Sequence, residues 1–321
     1  MFNRNTKKKT RFADFLSADY ARDYINQTTP YAEQIGRAAE LIGEAEYVLL
    51  GAGAGMSTAA GAEYGGKFFE EHFAEFQAIY GKGPYMQDMY SAGFYPFPDQ
   101  ESKWGYWSHQ ALLAGADLDV TPLHKTLLEA LEGKKLFLLS TNADHQFEKA
   151  GMPVEQIFQT QGSYNLIQCR RACHPRTYDA VELFRQMEQA RRNGKIPGAL
   201  VPKCPVCGGD MEMNLRVDDA FVEDENWHAA EERFSRFLSE CVNGKTVLLE
   251  LGVGFNTPTI IRFPFEKLTR QHENISLVRL SRSKAMVPAD LGSRTVGINA
   301  DMAQSITDLA AKLKNTEADV P

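Results

Sequence analysis

The sequence predicts an α/β protein in which a doubly wound parallel sheet, covered by helices on both faces, carries a smaller second domain. Three observations support this class. Short apolar runs alternate with segments of helical periodicity along most of the chain. The stretch 163–224 interrupts that alternation and contains four of the five cysteines. The length of 321 residues and the hydrophobic content of 43% suffice for one large core and a smaller appended one.

The strands of the predicted sheet are short apolar runs of the kind found in buried parallel strands. They are expected at Tyr47–Leu50, Lys135–Ser140, Thr246–Leu251 and Ser276–Leu280. Apolar residues at spacings of three and four predict the helices that cover the sheet. These helices are expected at Tyr31–Glu46, Phe68–Tyr80, Thr121–Leu131 and Asp301–Leu313.

Two further segments do not fit this alternation of strands and helices. Residues 1–30 are polar and are predicted to form a helical or frayed N-terminal arm. Tyr85–Trp107 is rich in aromatic residues, Pro and Gly, and we expect it to be an ordered loop region over the site. It could serve as a cofactor lid or as a substrate groove.

Composition and charge exclude several classes of partner. The net charge of −7 disfavours nucleic acid, since a phosphate-binding surface usually carries a basic excess. No segment approaches the roughly 20 apolar residues of a membrane span.

The basic start, Met1–Thr10, has no apolar core after it and is therefore not predicted to be a secretory signal. Paired cysteines fit metal binding in a reducing compartment, and we therefore expect a cytoplasmic protein.

A glycine-rich turn, 51–57, follows the first predicted strand. Such a turn lets the backbone approach a pyrophosphate, and the following helix N-terminus supplies amide donors and a favourable dipole. Glycine turns without a nucleotide are common, so this one alone leaves dinucleotide binding open. A second turn, Gly252-Val253-Gly254, follows the third strand.

Asn142 and Asp144 come directly after the second predicted strand. Open parallel sheets bind ligands at that end of their strands. The alternative is that both residues simply begin a helix, because Asn and Asp are common caps. The two residues alone do not decide between these interpretations.

Four cysteines form two short-range pairs. Cys169 and Cys173 are separated by three residues, and Cys204 and Cys207 by two, in a turn that continues with two glycines. Four thiolates suit tetrahedral Zn²⁺ in a closed structural site. The alternative, two reduced pairs in a core, fits this spacing poorly. His174 is adjacent and could compete with Cys173 for the metal, whereas the fifth cysteine lies in a helical pattern and is expected to be a buried apolar residue.

These motifs in this order resemble the sirtuin family of NAD-dependent protein deacylases. Thr141-Asn142-Ala143-Asp144, Ala150-Gly151 and Gln161-Gly162 are similar in order and spacing to the family run TQNID, AG, HG. The turn 53–57 with Gly61 is similar to the family's cofactor loop. The resemblance implies a Rossmann-like NAD-binding domain, 31–162 with 225–321, and a smaller zinc-ribbon-type module, 163–224.

The resemblance also implies roles for individual residues. Asn142 would orient the nicotinamide ribose and an incoming water or nucleophile, and Asp144 would hold the nicotinamide amide. With Gln161 these residues form the expected catalytic set. The expected cofactor contacts are Gly53, Ala54, Gly55, Ser57, Gly61, Thr141, Asn142, Asp144, Gly252, Gly254, Asn256 and Ser281. The structural zinc would be held by Cys169, Cys173, Cys204 and Cys207.

Gln161 stands where the family has its general base, a histidine. An amide accepts no proton near neutral pH, and loss of a general base commonly costs about a hundred- to ten-thousand-fold in rate. Deacylation needs a base to activate a ribose hydroxyl. Transfer of ADP-ribose to a carboxylate that is already anionic does not. Two alternatives stay open: His145 could replace the lost base, or the pocket could bind NAD without turning it over.

Two further departures concern the cofactor loop and the peptide clamp. Ala62–Gly66 replaces the family's Ile-Pro-Asp-Phe-Arg, and Val217–Asp224 lacks the Phe-Gly step that pairs with an acyl-lysine peptide. With Gln161 they make the chain similar to the macrodomain-linked class M sirtuins. That resemblance implies protein mono-ADP-ribosylation with a lipoyl-bearing carrier related to the glycine cleavage H protein as acceptor. It also implies a macrodomain hydrolase as functional partner and a role in the oxidative-stress response. Three alternative functions remain: a lysine deacylase, a non-catalytic NAD-sensing module, and a hydrolase that delivers ADP-ribose to water.

Overall fold

The computed structural model describes residues 23–255 and 258–318, and of residues 316–318 the backbone only. Its strands are β1 (Tyr24–Ile25), β2 (Tyr47–Ala52), β3 (Lys135–Ser140), β4 (Ile157–Gln159), β5 (Gly162–Cys169), β6 (Thr177–Asp179), β7 (Met211–Leu215), β8 (Thr246–Leu251), β9 (Ile275–Ser281), β10 (Val287–Pro288) and β11 (Thr295–Asn299).

The helices of the described residues are mostly short, and a π-helical turn, Leu112–Ala116, extends one of them. In chain order they are α1 (Tyr31–Glu44), α2 (Ala54–Ala59), α3 (Gly66–His72), α4 (Ala74–Tyr80), α5 (Met89–Gly93), α6 (Gln100–Ala111), α7 (Pro122–Ala130), α8 (Gln146–Lys149), α9 (Val181–Ala190), α10 (Glu225–Cys241), α11 (Arg262–Gln271) and α12 (Met302–Ala318).

The large sheet has six parallel strands in the order β11-β9-β8-β2-β3-β4. Every residue of β2 and of β8 is buried, which agrees with strands covered on both faces. The register places Ala52 opposite both Ser140 and Leu251, so the carboxyl ends of the three central strands meet at one edge of the sheet. The predicted α/β class is confirmed, and this edge is where ligands bind in such sheets.

Helices cover both faces of this sheet. One face, which includes Val48 and Leu50, packs against α1, α7 and α12. The other, which includes Leu49, packs against α10 and α11 through Phe234 and Phe265. The alternation of Val48, Leu49 and Leu50 between two apolar cores follows from the two-residue period of a strand.

A second, antiparallel sheet has three strands in the order β6-β5-β7. Its core contains Phe184 and Met187 of α9 together with Trp104 of α6. Helix α6, although it precedes residue 163, therefore packs against the small sheet. A fourth cluster of buried aromatic residues, among them Phe69, Phe73 and Tyr106, fills the space between α3, α4 and α6.

Two of the sequence-based element predictions between residues 68 and 107 are wrong. The segment Tyr85–Trp107 is not a loop, because it contains α5 and the first part of α6. Asp88 and Asp99 cap these helices, each accepting a hydrogen bond from the backbone N–H three residues later. The single helix expected at Phe68–Tyr80 is broken at Phe73, which separates α3 from α4.

Of the predicted N-terminal arm, residues 1–22 lie outside the described residues. Tyr24 and Ile25 form a strand that pairs antiparallel with Val287 and Pro288, so this part of the arm is neither helical nor frayed. None of the helices in the described residues has the length and apolar character needed to cross a membrane.

Candidate active site

A cleft of about 810 Å³ opens at the carboxyl edge of the large sheet. Its floor is made by the loops that follow β2, β3, β8 and β9, which the parallel register brings side by side. Residues of α5 and α6 form an aromatic wall on one side. The polar and glycine residues on the floor are Gly53, Gly55, Thr141, Asn142, Asp144, Gly252, Gly254 and Ser281.

Asp144 and Asn142 are joined to the first glycine turn through Ser57. The Ser57 hydroxyl donates to Asp144 Oδ2 at 2.5 Å. Asn142 Nδ2 lies 3.0 Å from both Gly53 O and Ser57 Oγ. Asp144 is 4% exposed and Ser57 is 1% exposed, so these bonds are shielded from water. Both cleft-lining side chains are therefore held in place before any ligand binds.

The two glycine turns pack directly against each other. A Cβ atom added to Gly53 or Gly55 would lie 2.9 Å or 2.7 Å from Gly252 O. Gly252 has φ +61°, and a Cβ atom added there would clash with the Gly55 backbone. Contact between the two turns thus requires glycine at all three positions. Gly61, with φ +101°, is exposed and does not line the cleft.

Gln161 lines the cleft beside Asn142 and Asp144. Its Nε2 lies 3.4 Å from Thr160 Oγ1, and its backbone oxygen accepts a hydrogen bond from the N–H of Arg216 at 3.0 Å. An amide at this position can donate and accept hydrogen bonds but cannot take up a proton.

Arg216 enters the cleft from the end of β7, next to Gln161. Its guanidinium lies 4.1 Å from the ring centre of Phe221 and 5.6 Å from that of Trp227. Its Nε donates to Thr160 O at 3.2 Å, and its Nη2 donates to Glu223 at 2.6 Å. The guanidinium is fixed by stacking and by two hydrogen bonds, and its charge is paired with Glu223 in a 35% exposed ion pair for which an anionic group can compete.

Two tyrosines complete the cleft around Asp144. Burial, reinforced by the negative charge of Asp144, raises the pKa of Tyr164 to about 12. The same two causes raise the pKa of Tyr64 well above its usual value. Both hydroxyls therefore stay protonated at neutral pH and can donate a hydrogen bond to a ligand in the cleft.

His145, the alternative base, is bonded to groups outside the cleft. It has a left-handed backbone, φ 59°, and its side chain is absent from the cleft wall. Its Nδ1 lies 2.9 Å from Glu148 Oε2 and its Nε2 lies 2.6 Å from Ser163 Oγ. The imidazole is thus engaged behind the cleft and links α8 to the start of β5.

The four paired cysteines meet at one end of the small sheet. Their sulfur atoms all lie within 4.8 Å of one another, with Cys169 to Cys207 at 3.7 Å and Cys173 to Cys204 at 3.6 Å. Zn–S bonds of about 2.3 Å give a tetrahedron with sulfur atoms roughly 3.8 Å apart. The donor set therefore fits a structural Zn²⁺, as predicted.

Local groups favour the thiolate form of Cys207, whereas desolvation and the neighbouring sulfur atoms raise the pKa of Cys173. The Arg171 guanidinium and the backbone N–H of Gly209 lower the pKa of Cys207 to about 6. His174 Nδ1 lies 3.1 Å from Cys173 Sγ, but its Nε2 lies 2.7 Å from the Tyr178 hydroxyl. His174 therefore lies next to the cluster of four sulfur atoms, with its Nε2 bonded to Tyr178. Cys241 is buried in the core under α10, as expected of an apolar residue.

Comparison with known proteins identifies the family. No family model matches the chain. A protein named protein ADP-ribosyltransferase, from Staphylococcus aureus, is 32% identical over 284 residues, which cover 88% of each chain. Solved structures with the same fold include a Sir2 homologue in complex with NAD, with a TM-score of 0.54 at 15% identity over 93% of this chain and 98% of that one. This chain belongs to the sirtuin family.

Other similar proteins agree with this assignment. A Fusarium oxysporum protein named probable bifunctional ADP-ribose hydrolase/ADP-ribosyltransferase is 31% identical over 308 residues. The match covers 90% of this sirtuin but only 49% of that relative, so the chain spans about half of its length. A Sir2 homologue mutant in complex with ADP-ribose has a TM-score of 0.54 at 15% identity, over 89% of this chain and 98% of that one.

In this sirtuin most of the expected cofactor-binding residues lie on the cleft wall, but Ser57 and Gly61 do not. Ser57 lies behind the wall, where it supports Asn142 and Asp144. Gly61 ends the turn after α2 and is separated from the cleft. Asn256 lies outside the described residues.

Three further residues line the cleft of this sirtuin without having been predicted from the sequence: Tyr64, Tyr164 and Arg216. Tyr64 lies in the segment that replaces part of the family's cofactor loop, and this position could have indicated that it is a site residue. Tyr164 follows Gln161 by three residues on β5, and its proximity to Asp144 depends on the pairing of its N–H with Ala143 O at 3.1 Å. Arg216 approaches Gln161 only through the pairing of β5 with β7, which no local pattern predicts.

Proposed function

We propose that this sirtuin is an NAD-dependent protein mono-ADP-ribosyltransferase that releases nicotinamide. The observation that carries the proposal is the amide of Gln161 on the cleft wall, which also includes Asn142 and Arg216, at the position where sirtuin deacylation requires a base. The cleft volume of about 810 Å³ suits a dinucleotide, and the glycine turns leave its floor free of bulky side chains.

The residues present fit NAD at both ends of the cleft. Asp144 and the hydroxyls of Tyr64 and Tyr164 offer an acceptor and two donors to a carboxamide. The opposite end has exposed Arg282 and Lys284, which suit phosphate groups. NAD supplies the ADP-ribosyl group: its bond to nicotinamide breaks, the electron pair leaves with neutral nicotinamide, and an acceptor oxygen bonds to the ribose carbon.

An anionic acceptor needs no base for this transfer. We infer that Arg216 attracts a carboxylate of the acceptor protein and that Gln161 and Asn142 orient it by hydrogen bonds. The carboxylate loses its charge when the new bond forms, so no proton is moved. Val217–Asp224 lacks the Phe-Gly step, and its Ala220 O and Val222 N–H are bonded to the Gln168 side chain, which disfavours pairing with an acyl-lysine peptide and therefore deacylation.

For the acceptor we propose a lipoylated carrier protein of the H-protein type. The apolar wall of Met89, Tyr90, Phe94 and Trp107 supports this, because it can accommodate an aliphatic arm beside the polar floor. The bifunctional name of the Fusarium relative supports a macrodomain-type hydrolase as functional partner. A cytoplasmic location, which would keep the cysteine cluster reduced, and a role in oxidative stress stay predictions.

The test is incubation of the purified chain with radiolabelled NAD and a lipoylated or unlipoylated carrier protein. An Asn142→Ala variant is assayed in parallel, and both labelled protein bands and free nicotinamide are measured. We expect a labelled carrier with wild type and at least about a hundredfold less with Asn142→Ala. Equal labelling of the unlipoylated carrier would refute only the acceptor assignment. Nicotinamide release without any labelled protein would indicate hydrolysis, and no release at all would contradict the proposed enzyme.

A further inference from the structure

Four charged side chains form a buried network between the large sheet and α11. Glu250, Arg262, Glu266 and Arg279 all have fully buried side chains. Arg262 Nη2 lies 2.9 Å from Glu250 Oε1, Arg279 Nε lies 2.8 Å from the same oxygen, and Arg279 Nη2 lies 2.9 Å from Glu266 Oε1. The charges of the two cations and two anions cancel. Burying them nevertheless costs several kcal/mol per ion, so a gain in stability does not by itself explain such a network.

The network reaches the cleft through Arg262. Its Nη2 lies 3.0 Å from Val253 O and 2.7 Å from Lys284 O. Val253 belongs to the loop after β8 and Lys284 to the loop after β9, and both residues line the cleft. One buried guanidinium thus binds backbone oxygens of two floor loops, and the distance between those loops depends on its position.

Tyr24 on β1 closes the other end of the network. Its hydroxyl lies 3.0 Å from Glu266 Oε1 and 3.1 Å from Oε2. Its ring meets the ring of Phe255 edge-on, with centres 6.2 Å apart, and Phe255 covers the Arg262 guanidinium at 4.3 Å. The N-terminal strand therefore contacts both the charged network and the loop after β8.

We propose that Tyr24 is a positioning residue for the cleft: through Glu266, Arg279 and Glu250 it sets where Arg262 holds the two floor loops. The inference rests on the proposed function, because it assigns these loops to binding of the ADP-ribosyl part of NAD. Loss of the Tyr24 hydroxyl removes a hydrogen-bond donor from the buried Glu266 carboxylate. The remaining attraction between Glu266 and Arg279 then becomes stronger. Arg279 in turn shares Glu250 with Arg262, so the change is transmitted to Val253 and Lys284.

The test compares Tyr24→Phe with Tyr31→Phe in the full chain. Tyr31 is a matched control, because its hydroxyl also donates to a carboxylate, Asp308 at 2.7 Å, but on the exposed face of α12. The dissociation constants of ADP-ribose and NAD are measured by calorimetry, and the free energy of unfolding by urea titration. We expect about fivefold weaker binding of both ligands in Tyr24→Phe and less than about twofold change in Tyr31→Phe.

A purely structural role for Tyr24 would lower the free energy of unfolding and leave both dissociation constants unchanged, which would overturn the inference. Arg262→Lys keeps the charge but cannot bond two loops and Glu250 with the same geometry, so we expect a larger loss of affinity than in Tyr24→Phe. If Arg262→Lys does not fold, Tyr24→Phe alone decides. If wild type binds neither ADP-ribose nor NAD, the proposed function fails and the inference with it.

Discussion

The hydroxyl of Ser57 donates a hydrogen bond to the carboxylate of Asp144 and so ties the first glycine turn to the end of the neighbouring strand. Ser57 also lies 3.0 Å from Asn142 Nδ2. One small side chain behind the cleft wall thus fixes two residues that face the cleft. Such support is what holds a site within the narrow geometric tolerance that catalysis demands.

Ser57→Ala should therefore reduce activity by releasing Asp144. Removing a donor from a buried carboxylate costs about 1.5–3 kcal/mol, which corresponds to roughly a ten- to hundredfold loss in kcat/KM if it is expressed in the transition state. Initial rates of nicotinamide release test this. Ser239→Ala, which removes a hydroxyl bonded to Ser235 O within α10, is the control. An equal loss in both variants would show that the effect is a general one on stability.

Gln161→His restores an imidazole at the family's base position. We expect no acyl-lysine turnover from this variant, because the segment that would pair with the peptide lacks the Phe-Gly step and has Ala220 O and Val222 N–H bonded to Gln168. We expect Gln161→Ala to lose about tenfold in ADP-ribosyl transfer, the effect of one orienting hydrogen bond. Acetyl-peptide assays and carrier labelling are run on both variants. Robust deacylation by Gln161→His would contradict the interpretation that the peptide clamp is lost.

Arg216→Lys tests the attraction of an anionic acceptor. Lysine keeps the charge but loses the stacking on Phe221 and Trp227 and the bond from Nε to Thr160 O. We expect kcat for transfer to fall by about tenfold or more, with little change in the dissociation constant of NAD. Arg185→Lys, at an exposed ion pair with Asp117, is the control. A loss confined to NAD affinity would place Arg216 in cofactor binding instead.

His124 should make the protein sensitive to mild acid. Burial lowers the pKa of His124 to about 4, while its ordinary value is 6.5. Between these two pH values His124 is therefore protonated in the unfolded chain but neutral in the folded chain. Stability falls as the pH drops from about 6.5 towards 4, by up to about 3 kcal/mol.

Urea unfolding between pH 7.5 and pH 5 measures this effect in wild type and in His124→Asn. Asparagine preserves a partner for Thr121 Oγ1, which lies 2.8 Å from His124 Nδ1, but does not titrate. The variant should lose less stability over that range. His228→Asn, at an exposed side chain, should behave as wild type. An unchanged slope in His124→Asn would show that other groups cause the acid sensitivity.

Cys204→Ser should release the metal and destabilise the small sheet. Cys204 is buried among the four sulfur ligands, and structural zinc sites contribute directly to folding. Metal content by atomic emission and thermal unfolding are the measurements. Cys241→Ala removes a buried thiol outside the cluster and should leave the metal content unchanged. Retention of zinc by Cys204→Ser would contradict the assignment of Cys204 as a required ligand.

The large sheet could be predicted because its central strands are continuous apolar runs. Two strands of that sheet, β4 and β11, were missed, because Ile157–Gln159 is short and Thr295–Asn299 mixes polar residues and glycine. The helices α5 and α6 were not predicted, because the aromatic residues, Pro and Gly of this segment favour a loop. Their capping residues, Asp88 and Asp99, were the local signals that could have revealed them.

The site was less predictable than the sheet. Motif spacing could place Asn142, Asp144 and the cysteines, because each motif is local. The approach of Arg216 to Gln161 depends on strand pairing across the small sheet, and the network around Arg262 depends on the packing of α11. Contacts between distant parts of a chain leave no periodic trace in its sequence.

Gly162 has φ +89°, and a Cβ atom there would lie 1.9 Å from Asn214 O. Only glycine fits, so the backbone path at this point does not depend on the residue before it. Position 161 is therefore chemically exchangeable: a proton acceptor or an amide can occupy it without refolding of the chain. This backbone can therefore carry a different group at position 161 while the cleft floor and the cysteine cluster stay as they are.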